Sequence, residues 1–202
     1  QAALLDPETR APLLEVDQVQ VGLRLWPFLW REVRVRSVNL GQPKLFLEDS
    51  PRQRELVLGL LARLGELARP GGDARFPVLV DGGVVHYARP GLGFAVEIEG
   101  LRVALEWQAS DQATATVAGE SRLRLGDRNL DGIRLGARAK LAGGRWEVTR
   151  LELTRARSAL ALQGVVIPGE TPRVDLSATG TLMLEELGPL LSSGEDSKGA
   201  LR

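Results

Sequence analysis

Short segments in which apolar and polar residues alternate run through most of this chain, and they constrain its fold more than any other feature. Residues 14–25 and 31–36 follow this pattern, and residues 44–48 repeat it in a shorter form. Successive side chains of a strand point to opposite faces, so each segment has one apolar and one polar face. Similar segments follow from Phe76 to Leu184, with turn-forming residues about every ten positions. The pattern predicts a mainly β fold, an elongated curved antiparallel sheet built as a meander.

The alternation changes phase inside several of these segments, at residues 16–19, 35–38 and 148–151. One extra residue in a strand, a β-bulge, turns the side chains that follow it to the other face and bends the strand. Bends at repeated positions would roll a long sheet into a trough, the β-groove alternative. Strands that cross between two sheets would instead make a closed β-sandwich. The pattern leaves both open.

One predicted helix interrupts the strands. Ser50 is a suitable cap before Pro51, and the leucines and valine that follow form one apolar stripe, so an amphipathic helix is predicted near residues 51–69. Residues 81–83 (DGG) predict a hairpin turn between strands at 76–80 and 84–88. We therefore expect a single elongated domain over residues 1–190, with a helical insertion at ~50–70, and a flexible polar tail at residues 191–202.

The order of apolar residues near the start of the chain has a family resemblance. A strand pattern is followed by the bend Trp26-Pro27-Phe28-Leu29 and then by a second and a third strand pattern, with apolar positions at Leu14, Val16, Val19, Val21, Val33, Val35, Val38, Leu40, Leu45 and Leu47. This stretch resembles the N-terminal module of the AsmA-like family of bacterial envelope proteins, which includes AsmA, TamB and YhdP. Residues 150–164 and 173–180 resemble the strand repeat of the same family, and residues 184–191 resemble its short closing helix.

Composition argues against several other classes of protein. The 26 basic and 26 acidic residues give zero net charge, which is not the footprint of a nucleic-acid-binding protein. There is no Cys, so disulfides and thiolate metal sites are impossible. No apolar run is long enough to span a membrane, and no signal-peptide pattern follows Gln1. We expect a piece of a longer protein whose export signal or anchor lies upstream.

Candidate catalytic and metal-binding residues are few. The single His86 has no second His or Cys with which to share a metal, and a solvent-facing strand position is the simpler interpretation. Asp127, Asn129 and Asp131 have the spacing of the start of a calcium loop, but its twelfth position is Arg138 where a Glu ligand is needed. The same residues favour an ordinary turn. We therefore expect no enzyme and no cofactor.

The AsmA-like resemblance implies a hydrophobic groove that holds phospholipid acyl chains in the periplasm, tethered to the inner membrane through another segment. The expected function is lipid transport and outer-membrane homeostasis. An alternative is a scaffold that aids outer-membrane β-barrel assembly by strand pairing, with sheet edges recruiting assembly proteins or further copies. A carbohydrate-binding sandwich ranks last. The alternating residues expected to line the groove, for which ordinary core packing is the competing interpretation, are Leu101, Val103, Leu105, Leu123, Leu125, Ile133, Leu135, Val148, Leu160, Leu162, Val174 and Leu176.

Overall fold

One curved, open β-sheet dominates the structure, a computed structural model that describes residues 2–5, 10, 12–24, 34–48, 76–109, 112–167 and 173–191. All 12 described strands belong to this sheet. They are β1 (Ala2–Leu5), β2 (Pro12–Val16), β3 (Gln18–Arg24), β4 (Arg34–Gly41), β5 (Lys44–Glu48), β6 (Val78–Arg89), β7 (Phe94–Ala109), β8 (Gln112–Leu125), β9 (Arg128–Ala142), β10 (Arg145–Arg155), β11 (Ser158–Ile167) and β12 (Arg173–Thr181). The predicted mainly β, open and curved sheet is confirmed.

From β6 to β12 the strands form the predicted antiparallel meander, each paired with the next along the chain. Before it, β2 and β3 follow one another as a single long strand. They pair with β5 and β4 in one continuous register, Leu14 opposite Leu45 and Val19 opposite Leu40. The outermost strands of the sheet are therefore β1 and β3 on one side and β12 on the other.

Two of the pairings are parallel, so the sheet is mixed and not antiparallel throughout. Val38 of β4 lies opposite Val78, and Lys44 of β5 lies opposite Val84, both on β6. A parallel partner requires a long crossover in place of a tight turn, and residues 49–77 supply that connection. The predicted helix near residues 51–69 falls in this segment and lies outside the described residues, as do the bend at residues 26–30 and residues 192–202 of the predicted tail.

The predicted hairpin at residues 81–83 is wrong, because β6 runs straight through it. Gln42 N–H donates to the Asp81 carbonyl (2.9 Å), and Val84 N–H donates to the Pro43 carbonyl (2.7 Å), so the ladder to the preceding strand continues past the glycines. Gly82 has φ +68°, and the register toward β7 shifts on either side of Gly83. The Asp-Gly-Gly sequence therefore forms a bulge inside one strand.

Irregularities at matching positions of four neighbouring strands bend the sheet along one line. Asp17 interrupts β2 and β3, Gln42 and Gly82 have φ 49° and 68°, and Gly100 has φ 58° in β7. Register also shifts at the predicted sites in β10, between Val148 and Leu151, and opposite residues 35–37 of β4. Bulges increase strand bending and twist. This bend line folds the sheet into a trough.

The buried residues beside the bend line show which side of the sheet is concave. Val16, Pro43 and Gly83 are buried and lie in one row with Leu101 across the sheet. A methyl group at Gly83 would come within 3.2–3.4 Å of Val80, Pro43 and Leu101 side chains. Crowding of this kind places them on the inside of the bend.

After β12 the chain forms a short helix, α1 (Leu184–Leu191), as the sequence predicts. Glu185 and Glu186 lie in its first turn, where carboxylates favour the positive end of the helix dipole. The helix turns back over the sheet and packs against β9.

Candidate functional site

The concave side of the sheet is apolar from strand to strand. Residues directly opposite one another in a ladder share a face. Leu105 lies opposite Ala115, Ala115 opposite Ala139, and Ala139 opposite Val148. Continued through Gly164, this row reaches Leu176 on the last strand. We call the surface that contains these rows the apolar face.

The register places all predicted lining residues on this one face. The row of Val103 runs through Val117, Ala137 and Leu151 to Leu162, and the row of Leu135 runs through Leu153 to Leu160. The predicted residues on the apolar face are Leu101, Val103, Leu105, Leu123, Leu125, Ile133, Leu135, Val148, Leu160, Leu162, Val174 and Leu176. The structure thus brings them together across β7 to β12.

The face extends well beyond the predicted set. Sequence reasoning missed its first half and several members of its second half, namely Val19, Val21, Val38, Leu40, Leu45, Leu47, Val78, Val80, Val85, Tyr87, Phe94, Val96, Ile98, Trp107, Val117, Leu130, Leu141, Trp146, Leu151, Leu153 and Val166. The alternation that marked the predicted residues also marks these. Whether they share a face depends on how each bulge shifts the alternation of side chains along its strand. Only the pairing of neighbouring strands shows this shift.

Very little covers the apolar face within the described part of the chain. The buried hydrophobic residues among those described are Leu13, Val16, Ala113 and Leu130 only. Most other side chains of the face are half-buried. Val19, Val21 and Leu23 on β3 and Val174 on β12 are exposed. A hydrophobic surface of this extent, rimmed by polar residues, is typical of a binding surface.

The opposite face is mostly polar and carries most of the charged side chains. Arg102, Glu106, Glu120, Arg122 and Lys140 alternate with the apolar residues and are exposed. Arg122 pairs with Asp131 and lies 3.5 Å from a Glu97 oxygen, and the Asp131 hydrogen bond raises the pKa of the guanidinium. Exposed pairs of this kind contribute little to stability. We call this surface the polar face.

The structure places His86 on a strand and the Asp127–Asp131 segment at the β8–β9 turn and the start of β9. His86 lies on the polar face, where its ring stacks on Phe46 at 5.1 Å and Nδ1 is 3.4 Å from a Glu97 oxygen. Asp127 belongs to the β8–β9 turn, and Asp131 lies on β9 against Arg122. Within the described ranges, no group of three or more potential metal-ligating side chains occurs.

Helix α1 covers one end of the apolar face. Arg155 and Ser158 face each other across the β10–β11 turn, two positions beyond the apolar-face pair Leu153–Leu160, and so lie on that face. The Ser158 hydroxyl accepts a hydrogen bond from Met183 N–H at 3.0 Å, and Arg155 Nη1 donates to the Glu186 carbonyl at 2.6 Å. Leu130, on the strand against which α1 packs, is 4% exposed.

The Glu186 carboxylate fastens this helix to the sheet. It accepts hydrogen bonds from the backbone N–H groups of Arg157 (2.8 Å) and Ser158 (3.2 Å). Its side chain is only 11% exposed, whereas Glu185, which pairs with Arg157, is 81% exposed. Partial burial raises the pKa of Glu186, but these hydrogen bonds and the Arg155 charge outweigh it and hold the pKa below its ordinary value of 4.5. The ionised form is therefore the one that holds α1.

We predict that Glu186→Gln releases α1 while Glu185→Gln leaves it in place. A carboxyl whose pKa is lower in the folded state contributes its full stability above the unfolded pKa and loses it as the pH falls through the folded pKa. Amide exchange in α1 should therefore rise in Glu186→Gln at neutral pH, and in the unmodified protein only at pH below 4.5. Equal protection of α1 in both variants at pH 7 would contradict the assigned role of Glu186.

No described helix has the length and apolar content required to cross a bilayer. Comparison of the chain with protein-family models and with curated proteins gives no match. The AsmA-like resemblance therefore rests on the hydrophobic pattern of the sequence.

Proposed function

We propose that this chain binds the acyl chains of phospholipids on its apolar face. The observation that carries the proposal is the continuity of that face across the sheet, with α1 as the only described helix packed on it. The proposal needs no specific polar recognition group, because burial of apolar area is not directional. Lipid headgroups would remain in water outside the trough.

The size of the face suits a phospholipid better than a single fatty acid. A fully buried methylene contributes about 0.8 kcal/mol, and an open trough that covers half of each gains about 4 kcal/mol over ten methylenes. That corresponds to a Kd of about 1 mM for one chain, and two chains on one headgroup reach about 1 μM before ordering costs are subtracted. Nine strand positions from β3 to β12, at about 4.8 Å each, make the face roughly 40 Å wide, enough for two chains.

The cellular role follows from this binding mode and from the AsmA-like pattern. We propose a periplasmic segment of an AsmA-like protein, tethered to the inner membrane elsewhere, that conducts phospholipid between inner and outer membranes. A trough with a uniform apolar lining supports movement of a chain along it, since no single position holds the lipid more tightly than the next.

Native mass spectrometry of the chain purified from a Gram-negative host tests the binding directly. We expect a population that carries phospholipid, identified after denaturation and lipid extraction. A folded protein that carries none, and takes up none from added phosphatidylglycerol vesicles, would overturn the proposal.

The alternative role as an assembly scaffold is favoured by a different feature, the edge position of β12, whose outer side pairs with no other described strand. Such a scaffold would pair strands with an unfolded client and would tolerate polar substitutions on the apolar face. A polar substitution at Leu105 therefore separates the two roles, because it should impair lipid transport and leave strand pairing with a client intact.

A further inference from the structure

Strand β12 is an edge of the sheet on whose outer side no other described strand or helix packs. All nine residues of β12 are exposed, and β12 pairs with β11 without a register shift. Natural edge strands are commonly shielded by Pro, Lys, a bulge or very short length. β12 contains neither Pro nor Lys, and its charged residues Arg173 and Asp175 project to the polar face. Its backbone is therefore available to another strand.

The backbone groups on the free side can be identified from the β11–β12 contacts. A methyl group at Gly164 would lie 2.0 Å from the Asp175 carbonyl oxygen, so that carbonyl points toward β11. Backbone groups of alternate residues point to alternate sides of a strand. The amides and carbonyls of Val174, Leu176, Ala178 and Gly180 therefore point outward, and the side chains of the same residues lie on the apolar face.

The β12 sequence is complementary to itself when read antiparallel. Its large apolar residues, Val174 and Leu176, come first, and its small ones, Ala178 and Gly180, follow. With Ser177 opposite Ser177 of a second copy, Leu176 meets Ala178 and Val174 meets Gly180. β11 already uses the same matching, with Leu162 opposite Ala178 and Leu160 opposite Gly180. Large-to-small matching allows close approach of two strands.

We propose that β12 pairs antiparallel with β12 of a second copy across a two-fold axis at Ser177. The axis is perpendicular to the sheet, so the apolar faces of both copies lie on the same side and form one trough. Four outward-facing residues on each strand make about eight backbone hydrogen bonds. This dimer goes beyond lipid binding and does not depend on it.

Charge and space both favour this register. A shift that brings Val174 opposite Leu176 places the two Asp175 carboxylates directly opposite each other, and like charges in that position are destabilising. In the proposed register Asp175 meets Thr179, and all nine residues are paired. Helix α1 does not obstruct the approach, because it packs over β9 and the β10–β11 turn.

A cysteine scan tests the register, since the chain contains no Cys. Ser177 falls in a non-hydrogen-bonded pair of the new ladder, with Cα atoms about 4.5 Å apart, within the range of about 4.4–6.8 Å that a disulfide spans. Ser177→Cys should form a covalent dimer under mild oxidation. The matched control Thr179→Cys lies on the same face and is also exposed, but its Cα atoms are about 14 Å apart in the dimer, so it should stay monomeric.

Light scattering of the unmodified, lipid-free chain supplies a second readout that needs no cysteine. We expect twice the chain mass at high micromolar concentration, and the monomer mass in Ala178→Pro, which loses an outward amide but no bond to β11. A monomeric unmodified chain, or equal cross-linking of both cysteine variants, would overturn the proposal. The proposal would also be overturned if the unmodified chain formed open-ended oligomers and the Ser177→Cys variant formed no disulfide. That result would point to pairing of β12 with β3 of the next copy.

Discussion

Leu105→Asp and Leu135→Asp are each expected to weaken phospholipid binding at least about tenfold. Both side chains are half-buried on the apolar face of β7 and β9, in two rows that are separated by the row of Val103. A carboxylate there must keep its water shell, which interrupts the apolar contact of any chain that crosses it. Titration with a fluorescent phospholipid analogue measures the change.

The control is the same substitution on the other face. Leu79 of β6 lies opposite Asn39 and Ala104 on the polar face and is 42% exposed. Leu79→Asp should bind the analogue as the unmodified protein does. If Leu105→Asp fails to fold, Leu125→Asp replaces it, because Leu125 lies on the apolar face at a matching exposure of 44%. Equal binding by Leu79→Asp and Leu125→Asp would contradict the assignment of the faces.

Deletion of Gly100 is expected to abolish the native fold, while substitution of the same residue is mild. Gly100 and Leu101 together oppose Gly119, so Gly100 is the extra residue that keeps both halves of β7 in phase. Without it, one half of the strand turns over. Either Phe94, Val96 and Ile98 or Val103, Leu105 and Trp107 would move to the polar face, and charged residues would replace them in the trough.

The Gly100→Ala variant keeps the extra residue and changes only the conformational strain at this position. No atom lies within 4 Å of the added methyl position, so the variant carries only the strain of φ 58°. That strain costs roughly 1–2 kcal/mol, which lowers Tm by about 2–8 °C in a chain of this size. Thermal unfolding followed by circular dichroism should show a cooperative transition for Gly100→Ala and none for the deletion. Similar Tm values for the two variants would show that the bulge does not determine which face of the sheet the β7 side chains occupy.

The sequence predicts the element type well because alternation reports directly on a two-faced strand. The strands of the meander and the phase shifts at Val148–Leu151 and Val16–Val19 follow from this signal, whereas the closing helix at Leu184–Leu191 is predicted from the family resemblance. The twelve residues chosen from this signal share one face of the sheet, since antiparallel neighbours along the chain pair with one another.

What the pattern missed depends on contacts distant in sequence. The parallel pairing of β4 and β5 with β6 joins residues 40 positions apart, Val38 with Val78 and Lys44 with Val84. The residues Asp81-Gly82-Gly83 locally favour a hairpin turn. They form a bulge because β6 is hydrogen-bonded to neighbouring strands on both sides. The contact between Glu186 and the β10–β11 turn could not be predicted either. Glu186 accepts hydrogen bonds from the backbone N–H groups of Arg157 and Ser158, and every residue except proline has such a group.

Photo-cross-linking with a phospholipid that carries a diazirine in its acyl chain tests the central claim most directly. After illumination, peptide mass spectrometry identifies the residues that carry the lipid. We expect adducts on apolar-face residues such as Val103, Val117 and Leu135, and none on their polar-face neighbours Arg102, Thr116 and Arg134. Adducts spread equally over both faces, or confined to the polar face, would contradict the account of an acyl-chain trough.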